Sequence, residues 1–193
     1  MGRLLISTIV GGIVVFAWGA VSWMVLPWHA ATLQPFSNEV AVASVIRATV
    51  SHPGTYMLPN ARSAFGKANP ANAKAREKAA QERMRQGPSV LAAVRLEGTN
   101  PSSPWMYLKG LGVEMLGALG VTILLLLLPR LGYWERVKIV TMVALVAGLL
   151  CYVQDWHWWG FSTSYTLVKI ADLVIGYGLA GLAMAKVLEA GQP

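Results

Sequence analysis

Four long apolar stretches, at about residues 4–26, 106–128, 137–153 and 165–188, constrain what this chain can become more than anything else in it. A bilayer's hydrocarbon core is about 30 Å thick and takes roughly 20 residues of helix to cross. Within hydrocarbon an isolated segment must satisfy its own backbone, which an α-helix does. Residues 137–153 make the shortest of the four stretches. With 55% apolar and only 13% charged residues and a mean hydropathy of +0.49, the composition lies outside the usual range of a soluble domain. The expected fold class is an all-α membrane protein: four transmembrane helices, with a small α+β extracytoplasmic insertion between helices 1 and 2.

The expected organisation is a first transmembrane helix over 1–27, an extracytoplasmic module over 28–104, and a three-helix transmembrane region over 105–193. Arg3 ahead of an apolar run resembles a secretory signal. The run is too long for one, and Pro27, Trp28 and His29 spoil a small-x-small cleavage site, so an uncleaved signal anchor is expected. Orientation follows from Lys and Arg in the short loops. Arg3, the turn carrying Arg130, Arg136 and Lys138, and Lys186 mark one side, whereas 154–164 has Asp155 and no Lys or Arg. Both termini are then cytoplasmic and 28–104 is periplasmic, in a bacterial inner membrane. Trp23, Trp28, Trp105, Trp156, Trp158 and Trp159 fall near the outer boundary and only Trp134 near the inner one. That is an aromatic belt, or a platform for a flat ligand or a partner helix on the outer face.

The sharpest functional signal is ionisable residues inside the apolar runs. Glu114 sits among Gly110, Gly112, Gly117 and Gly120, while Lys169 and Asp172 precede Gly176, Ala180 and Ala183. Such a charge costs about 2.5–3.5 kcal/mol on insertion scales and belongs against protein or water. Gly110, Glu114 and Gly117 share one helix face, where small residues admit a second backbone. Glu114, Lys169 and Asp172 are therefore expected to meet in one polar network. Two carboxylates against one ammonium leave either a protonated carboxyl or a further partner.

In the external segment, Ser37 reads as an N-cap with Glu39 in the first turn, opening a helix that ends before His52. Residues 55–58 and 90–96 read as strands. Asn69 and Pro70 open a basic helix over 71–86 with almost no apolar stripe, a surface for solvent, lipid or an acidic partner. Cys151, the only cysteine, reads as a small apolar filler. His29, His52 and His157 all project externally and are candidates for a Zn or Cu site, to which Met24 or Met57 could add a soft ligand, but their spacing is no metal motif.

No nucleophile motif, phosphate loop, dinucleotide fingerprint or zinc helix is present, and nothing points to catalytic residues or a particular cofactor. Despite a pI near 9.8, nucleic acid is not an expected partner, since the cations are topology signals or external. The expected partners are membrane lipids and other integral membrane subunits. The favoured function is an accessory or assembly subunit of a larger membrane complex. A small transporter or lipid and quinone handler using the Glu114 network, and a membrane enzyme or metal carrier using the external His and Trp residues, are the alternatives.

Overall fold

The computed structural model describes residues 1–60, 73–128 and 130–189. In chain order its helices are α1 (Gly2–Met24), α2 (Trp28–Ala31), α3 (Glu39–Thr49), α4 (Ala73–Gln86), α5 (Pro104–Leu127), α6 (Tyr133–Gly148), α7 (Gln154–Trp159) and α8 (Thr163–Glu189). Strands β1 (Gly54–Leu58) and β2 (Val90–Val94) complete it. The chain divides into two compact units, Pro35–Asn100 and the remainder.

The smaller unit holds α3, α4 and the two strands. The strands pair antiparallel, Gly54 opposite Val94 through Leu58 opposite Val90. The helix start shifts by one residue from the expected Ser37: Asn38 is the N-cap of α3, and its Oδ1 accepts from the Ala41 N–H at 2.9 Å. Asn outranks or equals Ser at this position because its short amide reaches the third N–H of the helix. Asn69 and Pro70, and the first two residues of the expected basic helix, lie outside the described residues.

The larger unit contains four helices long and apolar enough to cross a membrane, judged by length and composition: Gly2–Met24, Pro104–Leu127, Tyr133–Trp159 and Thr163–Glu189. The third differs most from expectation, at 27 residues. Polar Glu135, Arg136 and Lys138 at one end and Gln154 and Asp155 at the other hide its length from a hydropathy reading. It continues because a π-helical turn, Leu149–Val153, joins α6 to α7 without a break. Most of the loop expected over 154–164 is therefore helix, ended by Gly160 in the left-handed region at φ 73°, where glycine carries no Cβ penalty. Cys151 lies within the π turn and is exposed, not a buried filler.

Packing runs α5 against α1, α1 against α8 and α8 against α6, while α5 and α6 touch little beyond the turn that joins them. The apolar centre comprises Val15, Val121, Leu125, Val140, Ala180, Met184 and Leu188. The face α1 gives it is small and hydroxylic: Ser7, Thr8, Gly11, Gly12, Val15 and Ser22 are buried. A Cβ on Gly11 would meet Met184 and Ala118, and one on Gly12 would meet Met115. Thr122 donates to the Ala118 carbonyl at 2.8 Å, and its oxygen lies 3.3 Å from Ser7 Oγ.

The glycines of α5 divide by face. Gly117 faces the Tyr177 hydroxyl and Gly110 faces Phe16, whereas a Cβ on Gly112 or Gly120 would meet nothing within 4 Å. Leu116, Ile123 and Leu127, on the same side as Gly112 and Gly120, are exposed. Such surfaces suit lipid or another apolar helix.

Candidate functional site

The site is assembled at the end of the larger unit where α1 finishes and α5 begins. Trp18 and Ser22, one turn apart, share a face of α1. Pro27 has no N–H to continue a helix, and after it the short turn α2 brings His29 beside Ser22. Trp28 Nε1 locks that return by donating to the Ser22 carbonyl at 3.1 Å and lying 3.0 Å from Ser22 Oγ. Thr32 Oγ1 donates to the His29 carbonyl at 2.8 Å.

Asp172 of α8 is the hub. Its Oδ1 accepts from Trp18 Nε1 at 2.8 Å, and its carbonyl lies 3.1 Å from the same nitrogen. Its Oδ2 lies 3.3 Å from His29 Nε2. Gly176, one turn further on, leaves the room for this: a Cβ there would sit 2.8 Å from Trp18 Cδ1. The small residues flanking the charges thus serve as sockets for aromatic side chains, Gly110 for Phe16, Gly117 for Tyr177 and Gly176 for Trp18, where close backbone approach was expected.

Trp23 stacks on His29 with ring centroids 3.8 Å apart. On this aromatic layer stands Lys169, its Nζ 5.3 Å from the Trp23 centroid and 5.2 Å from that of Tyr152 in the π turn. Lys169 therefore spends its charge on ring faces. Among the described residues it forms no ion pair with Glu114 or Asp172; Asp172 faces His29, and Lys186 pairs with Glu189. Asp172 takes its partners from the His29 ring and the Trp18 N–H instead.

All three ionisable residues singled out from the sequence, Glu114, Lys169 and Asp172, nonetheless line one open cleft of about 460 Å³. Phe16, Trp18, Trp23 and Tyr152 are among its walls. This volume falls in the ~300–1,000 Å³ range of small-molecule pockets. Deeper in the unit, Gly11 and Gly12 pack closely on Met184, Ala118 and Met115. Glu114 is half-buried and has no hydrogen-bond partner among the described residues.

Ser22, His29 and Asp172 are the residue types of a hydrolytic triad, but their geometry is not one. A triad places serine on one imidazole nitrogen and the acid on the other. Here Ser22 Oγ, at 3.0 Å, and Asp172 Oδ2 both approach Nε2, and Nδ1 is buried without a partner. Ser22 is fully buried and His29 is 2% exposed. The cluster ties α1, α2 and α8 together.

Burial holds the His29 pKa below its ordinary 6.5, and Lys169 pushes the same way, while Asp172 opposes. A neutral ring donating through Nε2 to the acceptor-only carboxylate satisfies the pair. Because the unfolded chain takes up the proton first, His29 gives its full stability above pH 6.5. That contribution is lost as pH falls through the lowered folded-state value. Thermal unfolding in detergent should show a midpoint that drops as pH falls below 6.5, and the drop should be shallower in His29→Gln. Equal slopes for the two proteins would remove His29 from the pH response.

The other residues singled out lie apart from the cluster or in another role. Trp28 is drawn inward as described. Trp105, Trp156, Trp158 and Trp159 are exposed, with Trp156 Nε1 donating to Thr163 Oγ1 at 3.1 Å and Trp158 Nε1 to Gln154 Oε1 at 3.0 Å. His157 contacts the Trp158 edge, and His52 belongs to the smaller unit. Among the described residues no group of three or more His, Cys, Asp or Glu side chains could hold a metal. Trp18, Ser22 and Tyr152 were not singled out from the sequence. A signal for the first two exists: with Ser7, Gly11 and Val15 they continue a small and polar stripe at helical spacing along α1.

No family model matches this chain, and neither a curated protein nor a solved structure is significantly similar to it.

Proposed function

We propose that this chain is a polytopic accessory subunit that docks onto another integral membrane protein through the outward face of α5. The carrying observation is Gly112 and Gly120, two turns apart on one helix face, with open space where a Cβ would stand. Small residues let helices approach closely in lipid, where association depends on packing and polar contact in place of hydrophobicity. The open row of helices, in which α5 has α1 on one side and little of α6 on the other, leaves that face free. In this reading the four apolar helices cross a bacterial inner membrane. The Arg- and Lys-rich ends are cytoplasmic and residues 28–104 periplasmic, by the short-loop charge bias.

Purification in mild detergent with mass measurement tests the proposal. The wild-type chain should carry a second polypeptide at fixed stoichiometry. The double variant Gly112→Leu, Gly120→Leu should lose it with stability changed by no more than ~1 kcal/mol per site, the scale of helix propensity at glycine. A clean wild-type monomer, or a double variant that keeps the partner, overturns it.

One observation favours a second reading. The cleft combines aromatic walls with the unpartnered Glu114 carboxyl and so suits a small amphipathic molecule, which makes a lipid or quinone handler the alternative. A stoichiometric small molecule extracted from pure monomer would promote it. The close packing of Gly11 and Gly12 deeper in the unit weighs against a path for transport.

A further inference from the structure

At the other end of the larger unit, α1 starts, α5 ends, α6 starts and α8 ends. A cavity of about 120 Å³ opens among these termini, and three arginines, Arg3, Arg130 and Arg136, line it together with Leu125, Leu126 and Leu188. The short-loop reading treats these arginines as topology signals, and a topology signal has no need to be buried. Arg136 is 5% exposed, and its Nη1 has no hydrogen-bond partner. A guanidinium stays charged at any relevant pH, so it cannot relieve burial by losing a proton, and an uncompensated buried charge is strongly unfavourable.

Nearby carboxylates do not supply the missing charge. Glu135 turns back to accept from the Gly132 N–H at 2.7 Å, and Glu189 pairs with Lys186 at 3.4 Å. Among the described residues no acid lies within ion-pair distance of any of the three arginines. Arg130 adds an independent sign. It is the one described non-glycine residue with positive φ, at 64°, a left-handed conformation that Gly or Asn adopts more cheaply. Strain of this kind at a residue lining a charged cavity points to a role for the side chain.

The occupant must be anionic, must accept several N–H donors in a planar fork and must tolerate leucine. Guanidinium forks match the oxygens of phosphate. At ~30 Å³ per water, the cavity has room for about four waters or one tetrahedral oxyanion, too little for a nucleotide. Leu126 and Leu128, also on the lining, are exposed outward, where acyl chains would run. We propose that Arg3, Arg130 and Arg136 form a binding site for the phosphate of an anionic phospholipid. Free phosphate shares the headgroup chemistry but makes no use of the leucine walls. The carbonyl ends of α5 and α8 offer a competing explanation, in which the arginines merely offset helix-end partial charge and no ligand is involved.

The full-length protein in nonionic detergent, delipidated and titrated with dioleoylphosphatidylglycerol under native mass spectrometry, separates these. Wild type should retain one lipid more tightly than the rest. Arg136→Gln should weaken that site roughly tenfold or more, the scale of losing a charge-assisted bond. Arg130→Gly removes the charge while suiting the backbone, so it should fold at least as well and still weaken the site several-fold. It also decides the matter if Arg136→Gln fails to fold. Lys138→Gln, off the cavity lining, should leave binding unchanged. Inorganic phosphate should not compete at concentrations equal to the lipid; equal competition would assign the site to a free anion and overturn the lipid. Identical lipid retention by wild type and Arg130→Gly, or the absence of a distinct first lipid, would leave helix-end compensation as the explanation and overturn the site.

Discussion

Asp172→Leu should lower the unfolding free energy of this protein in detergent by about 2–4 kcal/mol. Two buried or half-buried donors lose an acceptor at once, Trp18 Nε1 and His29 Nε2, and a stranded polar group costs ~1–3 kcal/mol. Trp18 keeps part of its bonding through the Asp172 carbonyl, which keeps the sum below the simple maximum. Asp172→Asn retains an oxygen for one donor and should lose less than the leucine variant. Glu114→Leu makes the contrast. Glu114 is equally an acid in an apolar run, but it has no partner to strand, so its replacement should leave stability unchanged or raised. Equilibrium unfolding of the three variants reads this directly. If Glu114→Leu is the more damaging, the hub has been placed on the wrong acid.

Gly117→Ala should be the most damaging single methyl in the larger unit, because the new Cβ would fall on the Tyr177 hydroxyl. Overpacking of this kind costs ~1–3 kcal/mol where the neighbour cannot yield. Tyr177 belongs to the layer packed on the core, so it yields only by leaving that layer. The rescue is specific. Tyr177→Phe removes the colliding oxygen and leaves the nearest ring carbon, Cζ, at 3.3 Å, a contact that a small shift can absorb. The double variant should recover most of the loss, and a double-mutant cycle should show a coupling of ~1 kcal/mol or more. Gly120→Ala, with nothing within 4 Å, is the control. Additive effects for Gly117→Ala and Tyr177→Phe would mean that the two do not meet.

The four long helices were legible because hydrocarbon thickness and backbone satisfaction leave one solution for apolar runs of this length. The strand pair was legible from β-rich runs set between Pro- and Gly-containing breaks. The third helix was misjudged at both ends because its last turns carry charges at one terminus and Gln and Asp at the other, while hydropathy sees only the middle. A π turn has no composition signature, so the continuation through Tyr152 could not be read. Glu114, Lys169 and Asp172 were expected in one place because buried charges at matched depth must face inward, and one cleft does hold them. Their partners were not legible. Which donor reaches Asp172 depends on how α2 folds back after Pro27, and which ring meets Lys169 depends on helix rotation, neither of which spacing along the chain determines.

The pairing of Trp18 with Asp172 joins residues 154 positions apart, with the first and last long helices as its two halves. Synthesis at ~5–20 residues per second delivers α8 roughly 8–30 s after α1. Through that interval α1 carries the Trp18 indole without the Asp172 acceptors that satisfy it. The nascent chain thus spends much of its synthesis with that indole N–H open to whatever surrounds the emerging helices. Arrival of the final segment is the step that closes the centre of the protein, so a ribosome stalled before α8 releases a product with three long apolar helices and no assembled site.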